Sequence, residues 1–325
     1  MQVIDEFIFS WSAPGTGGQG RQSGDRGSNK GARRKTGKLS NIQQLQLIQI
    51  LADYFNSQED FNLLCSVFMI IFMVQGKDVE YKVNSLSRLL SYALSVNAVT
   101  ILNFGGVWLT QQSPTSGHSL SVARHMVADV TSIQHSHLHS LPAKSPLFTT
   151  NLIAAIGELY SHVTSEPDYS TYTAPPTSVV SLVTAWLRGG QETRSSPGSV
   201  SVPVPDTSPV VSLLPWSVFS TLLPGAGSYH ETYSLLHHTL VDSISSSAKS
   251  PLPTKYLTHL TEGLVSRLAS GNYSDQHVSA ALDKYGQIMA AALAVDNTKL
   301  DKDLLTIMKK LPHNRLVQIV IVNNK

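Results

Sequence analysis

The stretch VSAALDKYGQIMAAALAVDNTKLDKDLLTIMKKLP, Val278 to Pro312, decides the fold class. Val278, Ala281, Leu282, Tyr285, Met289, Ala292 and Leu293 recur at the spacing of one helix face. Leu300, Leu304, Ile307, Met308 and Leu311 repeat that pattern, and Pro312 ends it. Working back towards the N-terminus, the same period returns in one segment after another. Leu45, Ile48, Leu51 and Phe55 form a stripe behind Ser40 and Gln43, which stand at capping-box spacing. Leu86, Leu89, Leu90 and Leu94 form another, with Asn84 or Ser85 as its expected cap.

Further helices are expected over Val99–Leu109, Leu120 to about Leu138, Pro146–Tyr160, Ser178–Arg188, Val210–Leu223, Tyr229–Ser245 and Lys255–Leu268. The closing RLVQIVIVNNK is rich in β-branched residues and reads as either a short helix or an edge strand. Strands separated by helices, which an α/β enzyme needs, are missing. The expected fold is therefore all-α, an irregular helical-repeat (HEAT-like) bundle or solenoid without a fixed sequence period.

The run FNLLCSVFMIIFMV, Phe61 to Val74, is apolar on nearly every side and reads as a central, buried helix. It is 14 residues long, whereas a membrane span takes about 20, so no membrane partner is expected. Two segments interrupt the helices: EPDYSTYTAPPT (Glu166–Thr177) and the Pro-, Gly- and Ser-rich 189–209, read as a flexible loop. The expected organisation is a short apolar segment over 1–12, a disordered basic Gly-rich linker over 13–38, and one helical domain over 39–325.

Charged residues make up 14% of the chain and hydrophobic ones 42%, so surface polarity is expected from Ser, Thr, Gln, Asn and His. A surface so lightly charged favours life inside an assembly. The formal net charge of +2 is unevenly spread: Ala13–Lys38 carries seven basic residues against Asp25. The rest of the chain is mildly acidic, which argues against a broad nucleic-acid face on the helical part. The single cysteine, Cys65, rules out an internal disulfide. With no signal peptide at the N-terminus, a reducing compartment is expected and Asn272-Tyr273-Ser274 is an inert sequon.

Each motif that suggests chemistry lacks the context its mechanism needs. Gly15, Gly17 and Gly20 fit G-x-G-x-x-G, but RQSGDRGSNKG follows where a helix must aim its N-terminus at pyrophosphate. GARRKTGKLS approaches a P-loop, yet has one residue too many between glycines and Leu39 after Lys38 in place of a hydroxyl. His135, His137 and His139, with His125 upstream, suggest a metal site, but only His135 and His139 share a helix face. Cys65 has no local cationic partner, no G-x-S-x-G elbow occurs, and no carboxylates pair for acid–base work. No catalytic residue, cofactor-binding residue or metal ligand is assigned, and the chain reads as non-enzymatic. The basic stretch keeps two readings, a solvated linker or a nuclear-import or weak RNA-contact segment centred on Arg33, Arg34, Lys35 and Lys38.

Five segments, in order, carry a resemblance. VIDEFIFSW, LSNIQQLQLIQILADYF (Leu39–Phe55), SPLFTTNLIAAIGELY (Ser145–Tyr160), PPTSVVSLVTAWL (Pro175–Leu187) and the most specific, LPHNRLVQIVI (Leu311–Ile321), resemble the Integrator complex subunit 15 family. The resemblance implies an all-helical, non-catalytic nuclear scaffold within a complex that associates with RNA polymerase II, cleaves nascent transcripts including small nuclear RNA precursors, and attenuates transcription. It further implies that the chain joins the module of subunits 10, 13 and 14 to the rest of the complex. The helical segment that the family usually carries upstream of VIDEF and its Pro- and His-rich tail after LPHN are not seen, and the Gly/Arg stretch is longer than the family's. Leu311, Pro312, His313 and Asn314 are read as a turn-and-cap element or a partner contact. Trp108, Trp186 and Trp216 are the expected interface anchors. Two other functions stay open: a metal-dependent enzyme using the His-rich segment, and a cytoplasmic helical-repeat adaptor.

Overall fold

The computed structural model describes residues 41–57, 60–76, 79–132, 136–161, 174–194, 209–223, 230–246, 252–296 and 301–323. Among them every regular element is a helix. The N-terminal half holds α1 (Asn41–Ser57), α2 (Phe61–Ile71), α3 (Val79–Val96), α4 (Val99–Gln112), α5 (Gly117–Ser132), a 3₁₀ turn (Ser136–Ser140), the short α6 (Leu141–Lys144) and α7 (Pro146–Ser161). The remainder is α8 (Thr177–Arg194), α9 (Pro209–Phe219) with a 3₁₀ turn (Ser220–Leu222), α10 (His230–Ser246), α11 (Thr254–Ser270), α12 (Asp275–Asp296), α13 (Lys302–Met308) and α14 (Arg315–Asn323). The β-branched C-terminal run is thus a helix, with Val317, Val320 and Ile321 buried on one face.

With α6 set aside, each helix packs on the next but one. One row runs α1, α3, α5, α8, α10, α12, α14, and the other α2, α4, α7, α9, α11, α13. This is the connectivity of a solenoid built from helix pairs, with unequal helices and no common repeat. Buried apolar side chains form one cluster from Ile48 to Ile321.

Within the second row, glycines let helix backbones touch. A Cβ on Gly106 of α4 would stand 2.7 Å from the backbone nitrogen of Phe148 in α7. On Gly157 of α7 it would stand 2.3 Å from Ser212 Oγ and 3.1 Å from that residue's carbonyl carbon, in α9. Side chains bond across the same contacts. Asn151 Nδ2 donates to Gly106 O (3.2 Å) and Thr110 Oγ1 (2.8 Å), Ser161 Oγ donates to Ser212 O (3.1 Å), and Trp216 Nε1 donates to Gly157 O (3.3 Å).

Several sequence expectations need correction. The central helix is α9, where every residue but Val211 is buried. The run after Phe61 instead lies at the end of the stack, where only Leu64, Phe68, Ile71 and Phe72 are buried. Its rings meet Phe55 of α1 and Phe104 of α4, and no described element covers its other side. Asn84 and Ser85 are not caps: α3 begins at Val79, because Val83 extends the buried stripe back by a turn. The α5 helix stops at Ser132, and the chain reaches a 3₁₀ turn whose Leu138 is buried. Residues 189–194, expected as loop, continue α8, which packs on α6. Without a side chain at Gly189, Pro142 approaches to 3.5 Å of where a Cβ would be.

Some hydroxyls are internal as well. Ser87, Thr149, Thr184, Ser243 and Thr261 are buried, each donating to the carbonyl four residues earlier at 2.6–2.8 Å. A hydroxyl satisfied by its own helix needs no solvent. The apolar and basic segments expected over 1–38, and Ser40, lie outside the described residues.

A methyl group at Gly157 has no room to move into, since one of its neighbours is backbone. Gly157→Ala is expected to lower stability by about 1–3 kcal/mol, read as a fall in thermal midpoint. Gly117→Ala, with nothing within 4 Å, is the control and is expected to cost nothing.

Candidate interaction site

An interaction surface needs exposed apolar anchors, and the three tryptophans do not supply it. Trp108, Trp186 and Trp216 are at most 1% exposed. Each donates its indole N–H to a carbonyl far along the chain: Trp108 to Phe72 (2.9 Å), Trp186 to Leu138 (2.7 Å), Trp216 to Gly157 (3.3 Å). They join segments of the same molecule, so the anchor expectation is overturned. Tryptophan type alone carries no signal of which side of a helix it will occupy.

Most of the exposed large apolar side chains lie at the two ends of the stack, with Val96 and Leu235 exposed between them. At the N-terminal end, α1 presents Ile42, Leu45, Ile50 and Tyr54, and α2 presents Phe61, Leu63 and Ile70, with Met73 just beyond it. At the C-terminal end, α14 presents Ile319 and Val322. In stacked-helix proteins the terminal pairs ordinarily turn a polar face outward. The signal was legible in part: the run after Phe61 has no charged residue before Lys77, but the sequence read as buried what the structure leaves open.

The Leu311–Asn314 element builds the start of α14. Asn314 Oδ1 accepts from the backbone N–H groups of Leu316 (2.9 Å) and Val317 (3.1 Å), capping the helix. Its amide donates to Asp283 Oδ1 of α12 at 2.7 Å. Leu311 is buried, while Pro312 and His313 face solvent. The basic residues Arg33, Arg34, Lys35 and Lys38 lie outside the described residues.

Among the described residues, the histidine-rich segment forms no ligand set. His125 is exposed, with Nδ1 at 2.8 Å from Ser121 O, and His139 is exposed in the 3₁₀ turn. His135 lies outside the described residues. Among the described residues no group of three His, Cys, Asp or Glu side chains is placed to hold a metal ion. Cys65 is half-buried on α2, and burial pushes its thiol up, away from the thiolate that reactivity requires.

One constellation escaped the sequence reading, because its members lie in three different helices. Ser217 Oγ donates to His237 Nδ1 (2.8 Å), and His237 Nε2–H donates to Gln287 Oε1 (3.0 Å). Lys284 Nζ donates to Ser220 Oγ at 2.8 Å nearby. The order hydroxyl, imidazole, oxygen resembles a nucleophile with its base. Ser217 is wholly buried, however, and a reacting atom needs a place to sit beside the nucleophile. Burial pushes the His237 pKa down, with Lys284 and His238 adding to the effect against the Gln287 bond. Burial also brings Lys284 down to about 8. Ser217, His237 and Gln287 therefore join α9, α10 and α12 as neutral hydrogen-bonded groups, beside a Lys284 that carries its charge below about pH 8.

The linkage has a definite sign. The unfolded chain takes up a proton near the ordinary histidine value that folded His237 refuses, so stability falls as pH drops through about 6.5. Glu158, raised to about 7 by burial, acts oppositely, its contribution being lost as pH rises from about 4.5. The difference between the chain and its His237→Gln variant isolates the first effect. The variant is expected to lose less thermal stability than the parent between pH 7.5 and 5.5, measured by circular dichroism.

The family model for Integrator complex subunit 15 matches residues 1–313. A fruit-fly (Drosophila melanogaster) protein named Integrator complex subunit 15 is 27% identical over 341 residues, covering 100% of this chain and 87% of its own length. Its zebrafish (Danio rerio) counterpart is 24% identical, with 99% and 71% covered. The mouse (Mus musculus) protein of that name is 24% identical, with 99% and 77% covered. The match thus takes in the described helices from α1 to α13, and the chain belongs to the Integrator complex subunit 15 family.

Proposed function

We propose that this chain is a non-catalytic scaffold subunit of the nuclear Integrator complex, joining the module of subunits 10, 13 and 14 to the rest of the assembly. In that role it supports 3′ end processing of small nuclear RNA and attenuation of transcription by RNA polymerase II. The observation that carries the reading is the placement of exposed apolar side chains at both ends of one helix stack, on α1 and on α14. A bridge needs two separate faces, and a protein recruited for its own chemistry needs an accessible site. The crevice between α5, α7 and α8, lined by Met126, Val130, Ile156, Val183 and Trp186, offers no polar group. Low overall charge suits a subunit whose surface is covered by neighbours. His313, exposed beside the capping Asn314, is a further point of subunit contact.

Leu45→Asp with Ile50→Asp, and separately Ile319→Asp with Val322→Asp, place charges at the two ends without touching the core. Each pair is expected to remove a different set of Integrator subunits from the material co-purified out of nuclear extract. Retention of every subunit by both variants would sink the bridging reading.

Arg33, Arg34, Lys35 and Lys38 serve nuclear import and weak, sequence-independent RNA contact. Phosphate contacts by such residues release counterions and make binding steeply dependent on salt. Replacing all four by Gln is expected to reduce nuclear accumulation in cells and to flatten the salt dependence of RNA retention on the purified protein. Unchanged values for both would leave the stretch a linker alone.

A further inference from the structure

The two ends of the stack differ in charge. At the N-terminal end, there is no charged residue from Phe61 to Gly76. At the C-terminal end, there is no acidic residue from Leu304 to Asn323, while Lys309, Lys310 and Arg315 are cationic. These three gather around the turn that joins α13 to α14, and all are exposed, as are Pro312 and His313 between them. None of the three makes an ion pair or a side-chain hydrogen bond to a described residue. Like charges so placed repel one another, and a partner of opposite sign removes that cost. The neighbouring helices do not supply one. Asp283 of α12 is engaged by the Asn314 amide at 2.7 Å. Asp301 and Asp303, with Lys302 between them, stand at the far end of α13, roughly 10 Å away along its axis. That is past the screening length of about 8 Å in physiological salt.

An apolar stripe continues from the cations. Arg315, Ile319 and Val322 stand at i, i+4 and i+7 on α14, opposite the buried Val317, Val320 and Ile321. Ile319 is 46% and Val322 60% exposed. From Arg315 to Val322 the stripe runs roughly 10 Å, about two helical turns. Its charged end is not a phosphate cradle. The backbone N–H groups of Leu316 and Val317, which the start of a helix would offer to an anion, are already taken by Asn314 Oδ1. What remains is side-chain charge followed by apolar surface, and that order suits a polypeptide rather than a nucleic acid.

From this arrangement we infer that the α13–α14 turn and the outer face of α14 bind an acidic amphipathic segment of another protein. Its carboxylates pair with Lys309, Lys310 and Arg315, and an apolar side chain about two helical turns further on sits against Ile319 and Val322. This partner chemistry rests on the proposed bridging role, in which α14 is a subunit contact.

The purified Integrator complex containing this chain is treated with a carbodiimide, which joins a lysine amine to a carboxylate in direct contact. Mass spectrometry is expected to find Lys309 or Lys310 linked to an Asp or Glu of another subunit, with an apolar residue about two helical turns away. Crosslinks from both lysines confined to this chain's own carboxylates, or none from either, overturn the inference. The triple variant Lys309→Glu, Lys310→Glu and Arg315→Glu alters exposed side chains only and leaves the core intact. From nuclear extract it is expected to recover about tenfold less of the same subunits that the Ile319→Asp with Val322→Asp variant loses. Lys309→Arg with Lys310→Arg is expected to keep them. If the Ile319 and Val322 variant loses subunits and the charge reversal loses none, the bridging reading stands and the inference falls. If neither loses any, α14 is not a subunit contact and both fall. Loss of the same subunits from the parent on ribonuclease treatment assigns the cations to RNA and overturns the inference equally.

Discussion

Backbone contact at Gly106 and Gly157 is the constraint on which the stack depends. Helices bearing ordinary side chains at their contacts stand 8–10 Å apart. Here α7 is drawn closer to α4 on one side and to α9 on the other, because no Cβ intervenes. Closeness exposes carbonyls that are already used within their helices, and the chain takes advantage of their second lone pairs. Asn151, Ser161 and Trp216 all donate into these contacts. The consequence is a spine of α4, α7 and α9 on which the helices of the other row are hung.

Little charge is needed in such a structure. A buried hydroxyl is costly when unpaired, yet Ser and Thr on a helix reach the preceding turn and satisfy themselves. That lets Ser87, Thr149, Thr184 and Thr261 fill narrow gaps where a larger apolar group would not fit. The same economy governs Ser217, His237 and Gln287, whose polar atoms meet between α9, α10 and α12, where burial holds the imidazole pKa down. Part of the polarity of this protein is therefore internal.

Periodicity made the helices legible, and the contacts between them were not. The stripes of α12 and of Leu304 with Met308 are buried as their spacing indicates. Asn314 caps α14 as its residue type allows. Central position failed as an inference for α2 because apolar character on every side states only that a helix can be buried. Whether it is buried depends on neighbours, and α2 stands where the described stack stops. Pro215 and four serine or threonine hydroxyls around α9 hid the true centre, since α9 looks less apolar than α2 and carries an internal proline. Trp108, Trp186 and Trp216 were misplaced for a related reason, their acceptors lying 36 to 59 residues away along the chain.

A glycine-packed spine also has a mechanical meaning. Contacts made by long side chains give way by rotamer changes, whereas backbone seated on backbone has no such freedom. Compression or shear applied at α1 would pass through α4, α7 and α9 to the far helices with little lost on the way. In the proposed bridging role, such a spine is a strut of set length, keeping what is fastened to one end at a constant distance from what is fastened to the other.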